Sequence, residues 1–121
     1  MTNSEKNAAR KERTQQRLES GLISEHFPEV SSIVINVNNS YKRMNSNTIL
    51  RTLNFSPSSY AYFNIECLSE DCRDGGFDLN QVIAMMIRNH RDSGEGELDC
   101  DSSSLSSGHS HIYYKVNIQY N

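Results

Sequence analysis

The sequence predicts an α+β fold, a two-layer domain in which one main helix packs on a largely antiparallel sheet. Several segments alternate apolar and polar residues as half-buried strands do, and most follow one another without a helix between them, which favours antiparallel pairing. Residues 78–91 instead repeat their apolar side chains at helical spacing. The predicted order of elements is α-β-β-β-α-β-β, in a chain of 121 residues.

The first predicted element is a helix over residues 4–26. Ser4 is a suitable N-cap and Pro28 prevents further propagation. Apolar residues recur at helical spacing only in the second half, so the first half is expected to fray or project. We therefore predict a polar helical N-terminal extension, residues 1–20, followed by a single α+β domain, residues 21–121.

The next three predicted elements are strands. Residues 33–37 and 49–55 alternate β-branched or apolar residues with polar ones, and asparagine and serine residues between them supply loop chemistry, so they predict a long hairpin. Residues 60–68 alternate in the same way after a Pro-Ser-Ser turn. This third strand should deliver Cys67 at its end, on the same side as the core.

The main helix is predicted over residues 78–91, after a tight turn at residues 74–76. Asp78 is a good N-cap, and Gln81 lies three positions later as its reciprocal partner. The apolar residues of this segment are predicted to belong to the core: Leu79, Val82, Ile83, Met86 and Ile87.

Two strands close the predicted fold. Residues 94–96, Gly-Glu-Gly, should end the helical segment, and a short strand over residues 97–100 should follow. After a low-complexity loop at residues 101–108, residues 112–120 give the clearest strand pattern of the chain.

Composition and charge exclude several classes of function. No apolar run long enough for a membrane span or a signal peptide occurs, which predicts a cytoplasmic protein without membrane contact. Residues 61–121 carry ten acidic and four basic side chains, so this half is not expected to be a broad nucleic-acid surface. Residues 1–20 carry five basic and three acidic side chains. The basic N-terminal third could contact nucleic acid, although a solvated helix face accounts for the same charges.

Five residues have the spacing of a metal site. Cys67 and Cys72 form a Cys-x4-Cys pair, Cys100 follows the main helix, and His109 and His111 precede the last strand. Thiolate and imidazole are the preferred ligands of tetrahedral Zn²⁺, and the ends of antiparallel strands can bring these residues together. We predict a zinc site made of the three cysteines and one of the two histidines, without a choice between the histidines.

Other interpretations of the cysteines remain open. Cys67 and Cys100 could be small buried hydrophobes with Cys72 a loop thiol, or Cys67 and Cys72 could form a redox or disulfide pair. An odd number of cysteines, three, is less suited to a disulfide framework than to thiolate ligands or reduced thiols.

The stretch from Cys67 to Leu79, with Cys100 and the closing strand, resembles a zinc ribbon carrying an inserted helix. Small uncharacterised bacterial domains of this kind have Cys-x4-Cys before an Asp-Gly-Gly-Phe-Asp-Leu turn, which stands here at residues 74–79. The pattern departs from a full ribbon at the fourth ligand. The resemblance implies a zinc-bearing binding or scaffolding module rather than an enzyme.

We therefore predict a non-enzymatic binding module with a structural zinc knuckle. The expected partner of this module is another protein. The alternative is a small metal-dependent hydrolase in which Glu66, Glu70 or Asp71 acts as general base beside the metal. The His-x-Glu and Pro-Cys-x-x-Cys signature of the zinc deaminases is absent, and no phosphate-binding glycine motif occurs.

Overall fold

The computed structural model describes residues 3–41, 48–67, 72, 75–101 and 110–121. The described chain forms a four-stranded antiparallel sheet, a two-stranded sheet and a few helices, which confirms the α+β class. The elements are α1 (Asn3–Glu19), α2 (Ile23–His26), β1 (Val30–Tyr41), β2 (Thr48–Phe55), β3 (Asn64–Glu66), β4 (Gly76–Asp78), α3 (Asn80–Arg88), β5 (Ser93–Asp99) and β6 (Ser110–Tyr120).

The main sheet has the strand order β2-β1-β6-β5, with every neighbouring pair antiparallel. The predicted hairpin of β1 and β2 is confirmed, as is the last strand. Ile33 pairs with Phe55 on one side and with Ile118 on the other, so the β-branched residues of β1 occupy the centre of the sheet. One face is apolar and buried, and the opposite face carries polar side chains, as the alternation requires.

The predicted single helix over residues 4–26 is broken into α1 and α2. Gly21 separates them with a φ of 74°, a left-handed conformation that a side chain would strain. Leu22 then forms an isolated β-bridge with Tyr60 before the short α2 begins. The buried Ile23 anchors this turn in the core. The apolar residues keep helical spacing on both sides of Gly21, so the sequence predicted one helix. Such spacing reports the positions of side chains and does not reveal a break in the backbone.

The predicted third strand is much shorter than residues 60–68. Among the described residues 60–67, only Asn64–Glu66 is strand, and it pairs with β4 in a small separate sheet rather than with the main sheet. Gly76, expected in a turn, opens β4 opposite Glu66. A Cβ at Gly76 would lie 2.8 Å from the carbonyl oxygen of Ile65, so the absence of a side chain permits the close pairing. The element order is therefore α-α-β-β-β-β-α-β-β and not the predicted one.

The main helix is shorter than the predicted 78–91. Its N-cap position is Leu79, which has no side-chain cap, while Asp78 stays in β4 and accepts a hydrogen bond from the Asn80 backbone N–H through Oδ1 at 2.9 Å. Ile83, Met86 and Ile87 are buried and join the core formed by the inner face of the sheet.

β5 begins earlier than predicted, because Gly94 and Gly96 lie inside the strand instead of ending the preceding segment. Both glycines face the core. A Cβ at Gly94 would approach Met86 Sδ to 3.1 Å, and one at Gly96 would approach the Tyr114 hydroxyl to 2.5 Å. The two positions lack side chains because neighbouring large residues fill that space.

Most core side chains are β-branched. Most of them come from the inner face of the sheet and from one face of α3. The core residues with the least exposure include Ile23, Val30, Ile33, Ile35, Phe77, Leu79, Ile83, Ile112 and Val116. Among the described residues, no helix is both long enough and apolar enough to cross a membrane.

Candidate metal centre

The three cysteines lie where two hairpins meet. Cys67 directly follows β3, Cys72 belongs to the connection between β3 and β4, and Cys100 directly follows β5. Two contacts join the hairpins at this point: the Asp101 N–H donates to the Gly76 carbonyl at 3.1 Å, and the Gly76 N–H donates to Asp101 Oδ1 at 2.8 Å. The connection between β3 and β4 thus supplies two thiols, and the residue after β5 supplies the third.

The three sulfur atoms lie within 4.8 Å of one another. The Sγ atoms of Cys72 and Cys100 are 3.7 Å apart. A tetrahedral zinc with bonds of about 2.3 Å places two thiolates about 3.8 Å apart, whereas a disulfide requires about 2.05 Å. The cysteines are accordingly thiols rather than a disulfide, at a spacing compatible with a shared metal ion.

All three thiols are buried, with exposed fractions of 5%, 7% and 8% for Cys67, Cys72 and Cys100. The Gly75 backbone N–H donates to Cys72 Sγ at 3.2 Å. The backbone N–H therefore already contacts the sulfur that would bind the metal.

Gly75 also connects the site to the first helix. Its carbonyl oxygen accepts a hydrogen bond from Arg13 Nη2 at 2.5 Å and another from the Cys67 N–H at 3.2 Å. Arg13 Nη1 lies 4.0 Å from Glu66 Oε1. The polar α1 is therefore attached to the chain on both sides of the Cys-x4-Cys segment. Arg13 escaped the sequence analysis, because one arginine in a polar helix gives no signal of where it docks.

Of the two predicted histidine ligands, His111 is described by the structure, and it does not join the three thiols. His111 is held on β6 by hydrogen bonds of 2.8 Å from Nδ1 to Asp99 Oδ1 and 3.4 Å from Nε2 to Glu97 Oε1. The hydrogen bond with Asp99 and the nearby Glu97 carboxylate raise the pKa of His111 above its usual range, against a smaller opposing effect of burial. His109 lies outside the described residues.

Strand alternation explains the position of His111. His111 pairs with Asp99, so both side chains lie on the polar face of the sheet. Cys100, the next residue after Asp99, is turned to the buried side, where its N–H donates to the Ser110 carbonyl at 3.0 Å. The sequence prediction placed His111 just before the strand, whereas it is the second residue of β6.

The carboxylates near the site differ in their surroundings. Glu66 is exposed and faces Arg13, and Glu70 and Asp71 lie outside the described residues. Asp101 was missed by the sequence analysis, although it directly follows Cys100. Its carboxylate holds the β4 backbone beside the thiols.

A buried polar network supports the same end of the sheet. The Asn39 side chain is fully buried and donates through Nδ2 to Ser110 Oγ and to the His111 carbonyl, both at 3.1 Å. Arg51 donates through Nη1 to the Glu66 carbonyl at 3.2 Å, next to Cys67. The network thus ties β1, β2 and β6 to the end of β3.

Comparisons with protein-family models, with curated proteins and with solved structures found no match to this chain. Function must therefore be derived from the thiols and their surroundings.

Proposed function

We propose that the protein is a non-enzymatic binding module in which Cys67, Cys72 and Cys100 hold a structural Zn²⁺. The observation that supports this most directly is the approach of three buried thiols, from two separate hairpins, to within 4.8 Å of one another. The alternative is that the cysteines are buried simply as small hydrophobic residues. That role does not require their sulfur atoms to lie close together.

Zinc is the metal that suits these ligands best. Thiolates are soft ligands and select zinc, Cu(I) or iron–sulfur clusters over Mg²⁺ or Ca²⁺, and zinc has no redox chemistry that would endanger the site. For the fourth ligand we propose His109, which immediately precedes Ser110, the residue whose carbonyl bonds to the Cys100 N–H. His111 would first have to give up its hydrogen bonds with Asp99 and Glu97.

Burial of the thiols favours a structural role over catalysis. A hydrolytic zinc site keeps an open position for water and substrate, beside a carboxylate that acts as general base. Here the thiols are at most 8% exposed, and Glu66 is turned toward Arg13. A closed site fits a protein whose task is to bind a partner, and reduced thiols fit the cytoplasm that we propose as its location.

Metal analysis of protein purified without added zinc tests the proposal. We expect about one zinc per chain in the parent protein, since three thiolates and an imidazole satisfy tetrahedral coordination. Cys72→Ser should lose most of the metal, and His109→Asn should bind it more weakly. The matched control is His90→Asn, because His90 stacks on Tyr120 at 4.0 Å and belongs to no part of the thiol cluster. A parent protein with almost no zinc would refute the site.

Cobalt substitution separates the two classes of function. A closed site should give the strong visible absorption of tetrahedral thiolate coordination, unchanged by added small anions. Anion-dependent spectra would indicate an exchangeable position and support the hydrolase alternative instead.

A further inference from the structure

A groove of about 660 Å³ lies between α1 and the outer edge of β2. Leu53, Asn54 and Phe55 all line it, although they are consecutive residues of one strand. Successive side chains of a strand point to opposite faces, so a groove that contacts all three must follow the strand edge. β2 is a terminal strand and, among the strands that the structure describes, it pairs with β1 alone. The outer edge of β2 therefore borders the groove.

The opposite wall is one face of α1. Arg13 and Arg17 are four residues apart, as are Thr14 and Leu18, and all four line the groove. Leu18 is 52% exposed, and Tyr60, which also lines the groove, is 36% exposed. Two large side chains with apolar surface thus lie uncovered in the same groove, where a bound segment could cover them.

The charge of the groove comes from the two arginines of α1 and from Glu66. Arg13 interacts with Glu66, whereas the Arg17 guanidinium forms no hydrogen bond or ion pair within the described part of the chain. Residues one helical turn apart are separated by about 6 Å along the axis, and alternate side chains of an extended strand by about 7 Å. The helix positions of Arg13 and Arg17 are therefore spaced like alternate residues of an extended segment.

We propose that this groove binds an extended, acidic segment of a partner protein, which adds to the edge of β2 and places alternate carboxylates beside Arg13 and Arg17. Main-chain hydrogen bonds to the β2 edge would supply affinity, and the arginines would select acidic side chains. Leu18 and Tyr60 would cover apolar residues of the segment. The inference names the partner of the proposed binding module and rests on that function.

A peptide fits this groove better than a nucleic acid does. The edge of a strand offers N–H and carbonyl groups in alternation, which complement another peptide backbone and not a phosphodiester chain. Nucleic-acid affinity depends on the neutralisation of several phosphates, and the groove lining contains only two basic side chains, Arg13 and Arg17.

The test uses the full-length, zinc-loaded protein and a fluorescent peptide with alternating Val and Asp, as long as β2, eight residues. Fluorescence anisotropy should show binding that a Val-Lys peptide lacks, and that the same acidic peptide loses when its alternate amides are N-methylated. Arg17→Glu should weaken binding by about tenfold or more, since it replaces an attraction with a repulsion. Lys11→Glu makes the same charge change on α1 outside the groove lining and should change affinity less than about twofold.

Several results would overturn the groove proposal: no binding of the acidic peptide, equal binding of the Val-Lys peptide, or equal loss in Arg17→Glu and Lys11→Glu. Tighter binding of a single-stranded oligonucleotide that Arg17→Glu abolishes would assign the groove to nucleic acid and refute the peptide. Zinc content measured on the same samples separates the two proposals. A zinc-loaded protein without peptide binding refutes the groove alone, and peptide binding by a protein that takes up no zinc refutes the metal site alone.

Discussion

Arg51 and Asn39 form a hydrogen bond of 2.8 Å, in which Arg51 Nη2 on β2 donates to the side-chain oxygen of Asn39 on β1. Asn39 is fully buried, so its amide replaces water as the partner of this guanidinium. The pair lies at the end of the main sheet next to Cys100, because Asn39 bonds to Ser110 and Ser110 bonds to Cys100.

Removal of the Asn39 amide should destabilise the fold strongly. Asn39→Ala would take away the acceptor of Arg51 Nη2 and the donor to Ser110 Oγ, and we expect a loss of about 2 to 4 kcal/mol in the free energy of unfolding. Urea unfolding followed by circular dichroism measures it. Asn38→Ala, at the exposed neighbouring position, should cost less than about 0.5 kcal/mol. Equal effects of the two substitutions would contradict a stabilising role of the buried amide.

A side chain at Gly96 should not be tolerated. In Gly96→Ala the new Cβ would lie 2.5 Å from the Tyr114 hydroxyl and 2.8 Å from Cζ, and the Tyr114 ring is buried. We expect a loss of about 1 to 3 kcal/mol. Gly94→Ala is the matched control, because its nearest neighbour is the flexible Met86 side chain at 3.1 Å, and it should cost less in thermal denaturation. A Gly96→Ala protein with the parent melting temperature would disprove the close approach.

Metal removal should release α1 from the rest of the protein. Arg13 holds α1 to the Gly75 carbonyl, and Gly75 in turn donates to Cys72 Sγ, so loss of the ion should weaken the attachment. Hydrogen exchange of the α1 amides, read by mass spectrometry, should accelerate after chelation.

Arg13→Gln should accelerate hydrogen exchange of the α1 amides while zinc is still bound. Lys11→Gln is the control, because Lys11 is an exposed residue of the same helix, and this variant should leave the exchange unchanged. If chelation left the exchange of α1 unaltered, the proposed link between metal and helix would be wrong.

Asp101 should tune metal affinity without touching the metal. Its carboxylate accepts the Gly76 N–H at 2.8 Å and so fixes β4 against the segment that carries Cys100. Groups that orient metal ligands typically contribute about 10- to 100-fold in affinity, and we expect a loss of this order in Asp101→Ala. Competition with a chromophoric chelator gives the value. Asp101→Asn keeps an acceptor oxygen and should retain most of the affinity, so an equal loss in both variants would argue for a role of the charge instead.

The sequence predicted the fold correctly where the alternation of apolar and polar residues was long and regular. In β6, the alternation of residues 112–120 predicted both the strand and its buried face, and the strand itself begins at Ser110. β4 has only three residues, too few for any period to be recognised, and its pairing depends on the close approach at Gly76. Gly94 and Gly96 gave a turn signal although they serve packing against Met86 and Tyr114. Such pairings depend on tertiary neighbours, which local sequence does not contain.

The site was predictable in part for the same reason. Convergence of the three cysteines followed from the positions of Cys67 and Cys100 at strand ends and of Cys72 in the turn after Cys67. The strand was predicted to begin at residue 112, which left His111 outside it. Because β6 begins at Ser110, alternation places His111 on the face opposite the buried Ile112. The bond between Arg13 and the Gly75 carbonyl joins residues far apart in the chain, and no spacing rule connects them.

The position of β6 between β1 and β5 has a consequence for biosynthesis. β1 pairs with β6 along almost its whole length, yet β6 is the last of the described strands to leave the ribosome. Until then, the edge of β1 that pairs with β6, including the main chain of Ile33, Ile35 and Val37, lacks its partner strand. Such long-range pairing slows folding and leaves an adhesive edge exposed meanwhile. Chains interrupted before Ser110 should therefore aggregate or require a chaperone, even though most of their core residues have already been made.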